Sequence, residues 1–472
     1  RIFVMKKGIQ NYDDDFYEDG GISSGIDFGI DYTSQYEIDD SEQPMLPPGS
    51  ERLPIETQKT HKTGVTGAAF NFVCSTVGAG IVSLPGAIQA GGWIAVLMIV
   101  VLGSLASYTA WLIGQCMVGA VEGRALRTYA EIGQEAFHKV FGESKQWIGR
   151  LIVIILQLIT LFGVCTVFLI LAGTNMASLT GVLTDHDWIF IFGALLIPVA
   201  WLKTMKEILP VAIFGVVASI FVGAVISVEG IIHGSTNSNV NYDIVVWEGL
   251  PVAFNVIVFS FGGHSVLPTI HHSLKKPYKN WKPFIVISYT TITAIYVEVA
   301  MNGYAGWGDK TNGNVLVNLG DSIIGQISTA AITLHVLLAF PIPLNPISLY
   351  LEAALGTDDL PPKKELVSRI VLRTCVVLLI VFIASIVPYF SQVLSLVSAF
   401  STISMVFICP VAFYWMLRKD HVSKSLLLQI FLVFLLLVGI LSTIAGSYYG
   451  ILDLIDEINA HPSPFSHFFS NH

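Results

Sequence analysis

GVTGAAFNFVCSTVGAGIVSLPGAIQA, residues 64–90, is the stretch on which the fold turns. It is apolar for about the length of a bilayer-spanning helix, at ~1.5 Å of rise per residue. Yet its middle, Val77-Gly78-Ala79-Gly80-Ile81, is poor helix material, and Pro85 follows shortly after the second glycine. Each glycine costs a continuous helix about 1 kcal/mol relative to alanine. In hydrocarbon, freed backbone N–H and C=O groups survive only where protein or a water-filled cavity satisfies them. A helix broken at mid-membrane therefore reads as a ligand site. Close helix packing on small residues is the alternative for this stretch taken alone.

A second copy decides between them. GLPVAFNVIVFSFGGHSVLPTI, residues 249–270, is another apolar span, interrupted at Gly262-Gly263-His264. In both stretches the glycines are followed by Leu-Pro, as Leu84-Pro85 and Leu267-Pro268, with the prolines 183 residues apart. Interrupted spans at matching places in two halves of a chain point to the binding site of a secondary transporter.

The composition agrees. Hydrophobic residues make up 53% of the 472 and charged ones only 12%, against about 25% charged in soluble domains. Of the formal charge of −9, most belongs to residues 1–63, which hold 13 acidic and 6 basic side chains. No basic stripe marks a nucleic-acid partner. The five cysteines (Cys74, Cys116, Cys165, Cys375 and Cys409) all fall in apolar segments without metal-ligand spacing, so neither disulfide nor zinc is expected. Residues 1–63 lack the apolar core of a signal peptide and, polar and acidic, are expected to be a disordered tail. Gly21-Ile22-Ser23-Ser24-Gly25 matches a hydrolase nucleophile pattern but lacks the strand and helix that would give it meaning.

The expected fold class is an all-α multi-pass membrane protein with eleven transmembrane helices. The spans are Gly64–Ala90, Trp93–Ala120, Trp147–Leu179, Trp188–Leu202, Leu209–Ile232, Gly249–Ile270, Pro283–Tyr304, Ile323–Leu351, Ile370–Tyr389, Val393–Leu417 and Leu426–Tyr448. They form a core over 64–448, followed by a short tail, 449–472. Connections after even-numbered spans, with Arg369 among them and with Arg150 and Arg373 at the starts of the following spans counted with them, hold 18 Lys and Arg residues, and those on the other side only Lys310. The positive-inside rule then puts the N-terminus in the cytosol and the C-terminus outside or in a lumen. Thr128–Val140 reads as a short amphipathic helix at the cytosolic surface. No Asn-x-Ser/Thr sequon occurs in the outer loops.

With these residues in view, the chain resembles the amino acid/auxin permease family of the amino acid–polyamine–organocation superfamily. The run FNFVCSTVGAGIVSLPGAIQAGGW is similar to that family's opening signature, and Gly263-His264-Ser265 with Leu267-Pro268 to its sixth span. Gly303–Asp309 with Asn314–Leu319, and Leu396–Leu417 with Cys409-Pro410, resemble its seventh and tenth spans. The resemblance implies a five-plus-five inverted repeat with broken helices one and six, an eleventh span, and transport of neutral amino acids or related zwitterions. It suits a vacuolar, lysosomal or plasma membrane.

The breaks suit a zwitterion. The half-helix N-terminus after the first break can hold a carboxylate on the amides of Gly78, Ala79 and Gly80. Carbonyls near Ser75, Thr76, Phe259 and Ser260 can accept from an ammonium, and the glycines, Gly262 and Gly263 included, allow close approach. Phe259 and Phe261 are candidates for reading the substrate side chain. Ionisable residues within spans are hypotheses for function: His264 in the second break, His335 and Glu298 within spans eight and seven, and Glu229 and Glu352 near span ends, within reach of the interface. No cofactor is expected. Protons are the expected coupling ion, because an unperturbed imidazole titrates near pH ~6.5. Sodium stays open: span eight offers Ser328, Thr329 and Thr333. Against it, the family's sodium-coupled branch tends to carry an asparagine where this chain has Cys74, a poor ligand for a hard cation. A membrane enzyme finds no HExxH, no GxSxG within a span and no paired carboxylates. A channel would need repeated polar rings. A nutrient sensor signalling through the acidic tail stays open.

Overall fold

The structure, a computed structural model, describes residues 63–460 apart from 79, 119–125, 127, 202–207, 237–239, 321 and 358–359. The expectations for residues 1–62 and 461–472 lie outside the described residues. The first span is two helices, α1 (Val65–Thr76) and α2 (Gly80–Gly91), of 12 residues each. Val77 leaves the helical region, with φ −78° and ψ 66°. Then come α3 (Ile94–Val118), α4 (Tyr129–Phe141), α5 (Gln146–Thr180), α6 (Asp185–Ala200) and α7 (Ile208–Thr236). The sixth span is broken as well: α8 (Leu250–Ser260), one 3₁₀ turn over Gly263–Val266, and α9 (Leu267–Ser273), with Pro268 in its first turn. Proline is tolerated there because its missing N–H has no intrahelical partner at a helix start.

The chain continues with α10 (Pro277–Trp307), a loop ending in a 3₁₀ turn over Val315–Leu319, α11 (Ile323–Ala339), α12 (Pro341–Ala354) and α13 (Pro362–Ile386). The tenth span is α14 (Phe390–Val397), two π-helical stretches (Ser398–Thr402 and Ser404–Ile408) and α15 (Cys409–Leu417). A short α16 (Lys419–Val422) leads into α17 (Leu426–Ala460). Among the described residues, nine helical stretches are long and apolar enough to cross a membrane. The first span, in halves of 12 residues, and α6, with 16, are shorter.

Spans one and six run antiparallel, tied at both ends by backbone hydrogen bonds. At one end the Thr63 N–H donates to Ser273 O (2.9 Å) and the Lys275 N–H to Thr63 O (3.1 Å). At the other, the amides of Trp93 and Ile94 donate to Asp243 O and Ile244 O, each at 3.0 Å, and the Val246 amide to Gly91 O at 3.0 Å. Between these ties α2 packs on α8 at glycine distance: a methyl at Gly249 would fall 1.9 Å from Ala90 O.

Several expectations need correction. The last helix runs 35 residues, through Tyr448 to Ala460. Of the residues counted in connections, Arg150 lies within α5, Lys279 and Lys282 within α10, and Lys363, Lys364, Arg369 and Arg373 within α13. Glu352 does not reach the surface of the protein. It is 1% exposed, and its Oε1 accepts from Arg373 Nε at 2.6 Å, while Arg373 Nη1 donates to Ala200 O at 3.0 Å. A charge this deep needs a partner, and α13 supplies it across α12 and α6. The amphipathic α4 turns its buried face to the protein. Gly133 and Gly149 let its backbone touch α5, and the Tyr129 hydroxyl donates to Met405 O at 2.9 Å.

Candidate functional site

The two breaks meet. A methyl at Gly80 would stand 2.8 Å from Ser260 Oγ and 3.1 Å from its Cα. One at Gly263 would enter the Phe72 ring at 2.6 Å, with Thr76 Oγ1 at 3.2 Å. Small residues are needed where two chains with irregular backbone cross this closely. The crossing is bolted by a residue that no sequence pattern singled out, Tyr296 of α10. Its hydroxyl lies 2.8 Å from Ser260 O and 3.1 Å from Thr76 O, the carbonyls that end α8 and α1. Helix-terminal carbonyls lack intrahelical donors, and the phenol reaches one on each side; Thr76 O also accepts from the Gly78 amide.

The expected site residues take up definite places. Ser75 and Thr76 donate their hydroxyls back to Phe72 O at 2.9 and 2.8 Å, and Ser260 to Val256 O at 2.9 Å. The Gly78 amide is engaged with Thr76 O at 2.9 Å, so it is not open to a carboxylate in this conformation. Ala79 lies outside the described residues. Gly80 opens the first turn of α2, where orphan amides are expected. Phe259 is half-buried beside the break. Phe261 is fully buried, stacked on Tyr289 and edge-on to Tyr296, with its ring tip under Gly103 of α3. Gly262 touches Thr402 of the tenth span, a methyl there lying 3.0 Å from its Cγ2.

The two histidines differ. His264 is fully buried and engaged on both ring nitrogens, with Thr109 Oγ1 3.0 Å from Nε2 and the Tyr289 hydroxyl 3.4 Å from Nδ1. Thr109 Oγ1 also lies 3.1 Å from Ala106 O, to which it donates, so it is left to accept from His264 Nε2–H. His335 sits on α11 with its Cε1 edge against Gly215 of α7 and Nε2 toward the first break, 3.9 Å from where a methyl on Gly78 would be. Its Nδ1 is buried with no hydrogen-bond partner among the described residues. Glu298 is exposed on α10, two residues past Tyr296 and so on another face of the helix, away from both breaks.

Thr333 is committed elsewhere. Its hydroxyl donates to Thr329 O at 2.7 Å and accepts from Asn175 Nδ2 at 3.1 Å, while Asn175 Oδ1 accepts from Asn314 Nδ2 at 2.8 Å. This buried relay ties the loop before α11 to α5 and α11. The same loop presses on α2, where a methyl at Gly86 would meet Gly313 Cα at 2.8 Å. The helix beyond the break is thereby sealed, with nine of the 12 residues of α2 buried. On α1, by contrast, Phe70, Asn71 and Ser75 are exposed. Asn175 was visible in the sequence as an amide within an apolar span. Its partner in the loop was not.

These features define a multi-pass membrane protein with a closed pair of broken helices at its centre. The match to a family model described as "transmembrane amino acid transporter protein" covers residues 61–452, and the chain belongs to that family, one of transporters and not of enzymes. Among curated relatives, it is 27% identical to "Amino acid transporter AVT1D" of Arabidopsis thaliana, over 82% of this chain and 69% of that protein. It is 27% identical to "Amino acid transporter AVT1J" of the same plant, over 83% and 92%. Among solved structures it is similar to MhsT in complex with L-phenylalanine, with TM-score 0.49 and 14% identity over 81% of this chain and 98% of that one. It is also similar to Mhp1, a nucleobase-cation-symport-1 family transporter, at TM-score 0.47 and 14% identity over 87% and 96%.

Proposed function

We propose that this protein carries neutral amino acids across its membrane by alternating access around the meeting point of spans one and six. The proposal comprises eleven spans in a five-plus-five inverted repeat, an N-terminus in the cytosol and a vacuolar, lysosomal or plasma membrane. The observation that carries it is the Gly80–Ser260 contact with Tyr296 bridging the carbonyl ends of α1 and α8. A pair of half-helices that end together offers amides to a carboxylate at one terminus and carbonyls to an ammonium at the other. In the proposed orientation the sealed α2 faces outward and the exposed face of α1, with Asn71 and Ser75, inward, an inward-facing arrangement.

The proposed coupling ion is the proton, and His335 is its carrier. His335 turns Nε2 to the first break, where the ring can gain a proton and a substrate carboxylate together; its unpartnered Nδ1 lies on the other edge, against Gly215. Each then raises the affinity for the other, as linkage requires. His264, with both nitrogens engaged, is given a structural role. Thr333, bound to Asn175, is a poor candidate for a sodium ligand, and Glu298, facing away, for a proton carrier. The test is uptake by purified protein in liposomes from a panel of labelled amino acids, under imposed pH and sodium gradients. Accumulation of neutral amino acids driven by the pH gradient in sodium-free buffer is expected. Uptake that follows sodium and ignores pH refutes the proton, and no uptake of any amino acid refutes the reading.

A further inference from the structure

At the end of the bundle where the basic residues gather, α4, the end of α15 and the turn into α17 enclose a cavity of about 280 Å³. It is lined by Lys139, Leu417, Arg418, Asp420, His421 and Lys424. Three permanent cations thus share the space with one carboxylate. Among the described residues none of the three stands in an ion pair. Glu135, one turn before Lys139 on α4, makes none with it either.

Two of the three charges are held in place without being neutralised. Lys139 Nζ donates to Leu417 O at 2.8 Å, which fastens α4 to the end of the tenth span. Arg418 Nη2 donates to Gln115 O at 3.1 Å, reaching across to α3. Both acceptors are uncharged carbonyls. His421 Nδ1 meets the Tyr414 hydroxyl at 3.1 Å, which orients the ring in the wall. Fixed cations facing a concave space with little counter-charge raise the local concentration of anions. Arginine and lysine together suit phosphate oxygens, the one as a planar fork and the other as a point charge.

We propose that this cavity binds a phosphate-bearing anion, and that the anion clamps α4 to the end of span ten. The anion is a lipid headgroup carrying a phosphomonoester, or a soluble phosphate. Basic pockets between transmembrane helices at the cytosolic face take such headgroups. The site is distinct from the helix breaks and stands whatever the transported substrate is.

The test uses the full chain in lipid nanodiscs of four kinds. These are phosphatidylcholine alone, phosphatidylcholine with a phosphatidylinositol bisphosphate, phosphatidylcholine with phosphatidylserine at matched total charge, and phosphatidylcholine with inorganic phosphate in the buffer. Bound lipid is read by native mass spectrometry and stabilisation by the thermal midpoint. The phosphoinositide is expected to bind at least tenfold better than phosphatidylserine and to raise the midpoint. That preference is expected to vanish in Lys424→Glu, whose unfolding in phosphatidylcholine alone should match wild type because Lys424 makes no ion pair to lose. Lys139→Gln is the second variant, expected to weaken binding while keeping a polar side chain on α4. If inorganic phosphate alone stabilises the protein, and Lys424→Glu abolishes this, the site holds and its ligand is the soluble anion. Equal binding of phosphatidylserine and phosphoinositide, unchanged by Lys424→Glu, would mean general surface attraction and overturn the proposal. So would the absence of any shift. Uptake plays no part in the readout, so neither result bears on the transport reading.

Discussion

Gly78 and Gly80 look equivalent in the sequence, but only one has room for a side chain. A methyl at Gly80 collides with Ser260, so Gly80→Ala forces the two breaks apart at a cost of about 1–3 kcal/mol for overpacking. A methyl at Gly78 meets nothing nearer than His335 Nε2 at 3.9 Å. Gly78→Ala is therefore expected to unfold like wild type and yet to lose most uptake, because the methyl stands between His335 and the substrate carboxylate. Gly80→Ala is expected to lose both stability and uptake, with Ser260→Gly restoring part of the stability. Thermal unfolding in detergent and liposome uptake check both, and full uptake by Gly78→Ala would move the site elsewhere. The histidines separate in the same way. His335→Gln is expected to abolish drive by a pH gradient while leaving exchange of amino acid down its own gradient. His264→Gln should keep the pH drive and lose stability, since it disturbs the contacts to Thr109 and Tyr289.

Among the elements, two buried polar connections hold helices that have no hydrophobic reason to stay together inside a bilayer. Glu352 joins α12 to α13 through Arg373, which also reaches the last carbonyl of α6. Removing one charge strands the other, at about 3–5 kcal/mol. Glu352→Leu and Arg373→Met are each expected to be strongly destabilising, and the double variant less so than their sum. A thermal or chemical double-mutant cycle measures this, and additive effects would show that the pair is not coupled. The second connection, Asn314 to Asn175 to Thr333, fastens the loop over α2. Asn314→Ala leaves the buried Asn175 Oδ1 without its donor, a loss of about 1–3 kcal/mol. Faster hydrogen exchange at the amides of 315–319, with α4 unchanged, is the expected signature. Unchanged exchange there would mean that the apolar contacts of Val315, Leu316 and Leu319 hold the loop alone.

At the scale of the whole molecule, charge is what orients the chain in its membrane. Lys and Arg fall 18 to 1 on the two sides of the expected spans; Arg373, at the middle of α13, drops out of that count and leaves 17 to 1. Epitope tags at residues 10 and 470 are therefore expected to become accessible from opposite sides. Accessibility from one side would break the eleven-span count. The acidic tail is expected to be dispensable for the transport step. A chain lacking residues 1–60 keeps Thr63, whose backbone bonds to Ser273 and Lys275 close the end of span one against span six. Wild-type uptake by that truncation is the expected result, and a folded but inactive truncation would make the tail part of the mechanism.

Apolar length, paired glycines and the asymmetry of charge belong to the chain alone, because the bilayer imposes them locally: a span must satisfy its own backbone, and a basic loop stays where it was made. The two broken spans, the amphipathic α4 and the polar candidates within spans were legible for that reason. Partnership was not. Tyr296 carries no signal in sequence, and it becomes a bolt only because α10 brings its hydroxyl between Thr76 O and Ser260 O. Glu352 lay near a span end and looked free to reach water until α13 placed Arg373 beside it. His264 and His335 were both candidates until packing surrounded one with Thr109 and Tyr289 and left the other turned toward Gly78. A residue's type sets what it is able to bond. In a medium without water, which bond it makes depends on the neighbours that tertiary packing delivers, and these are separated in sequence by up to hundreds of residues.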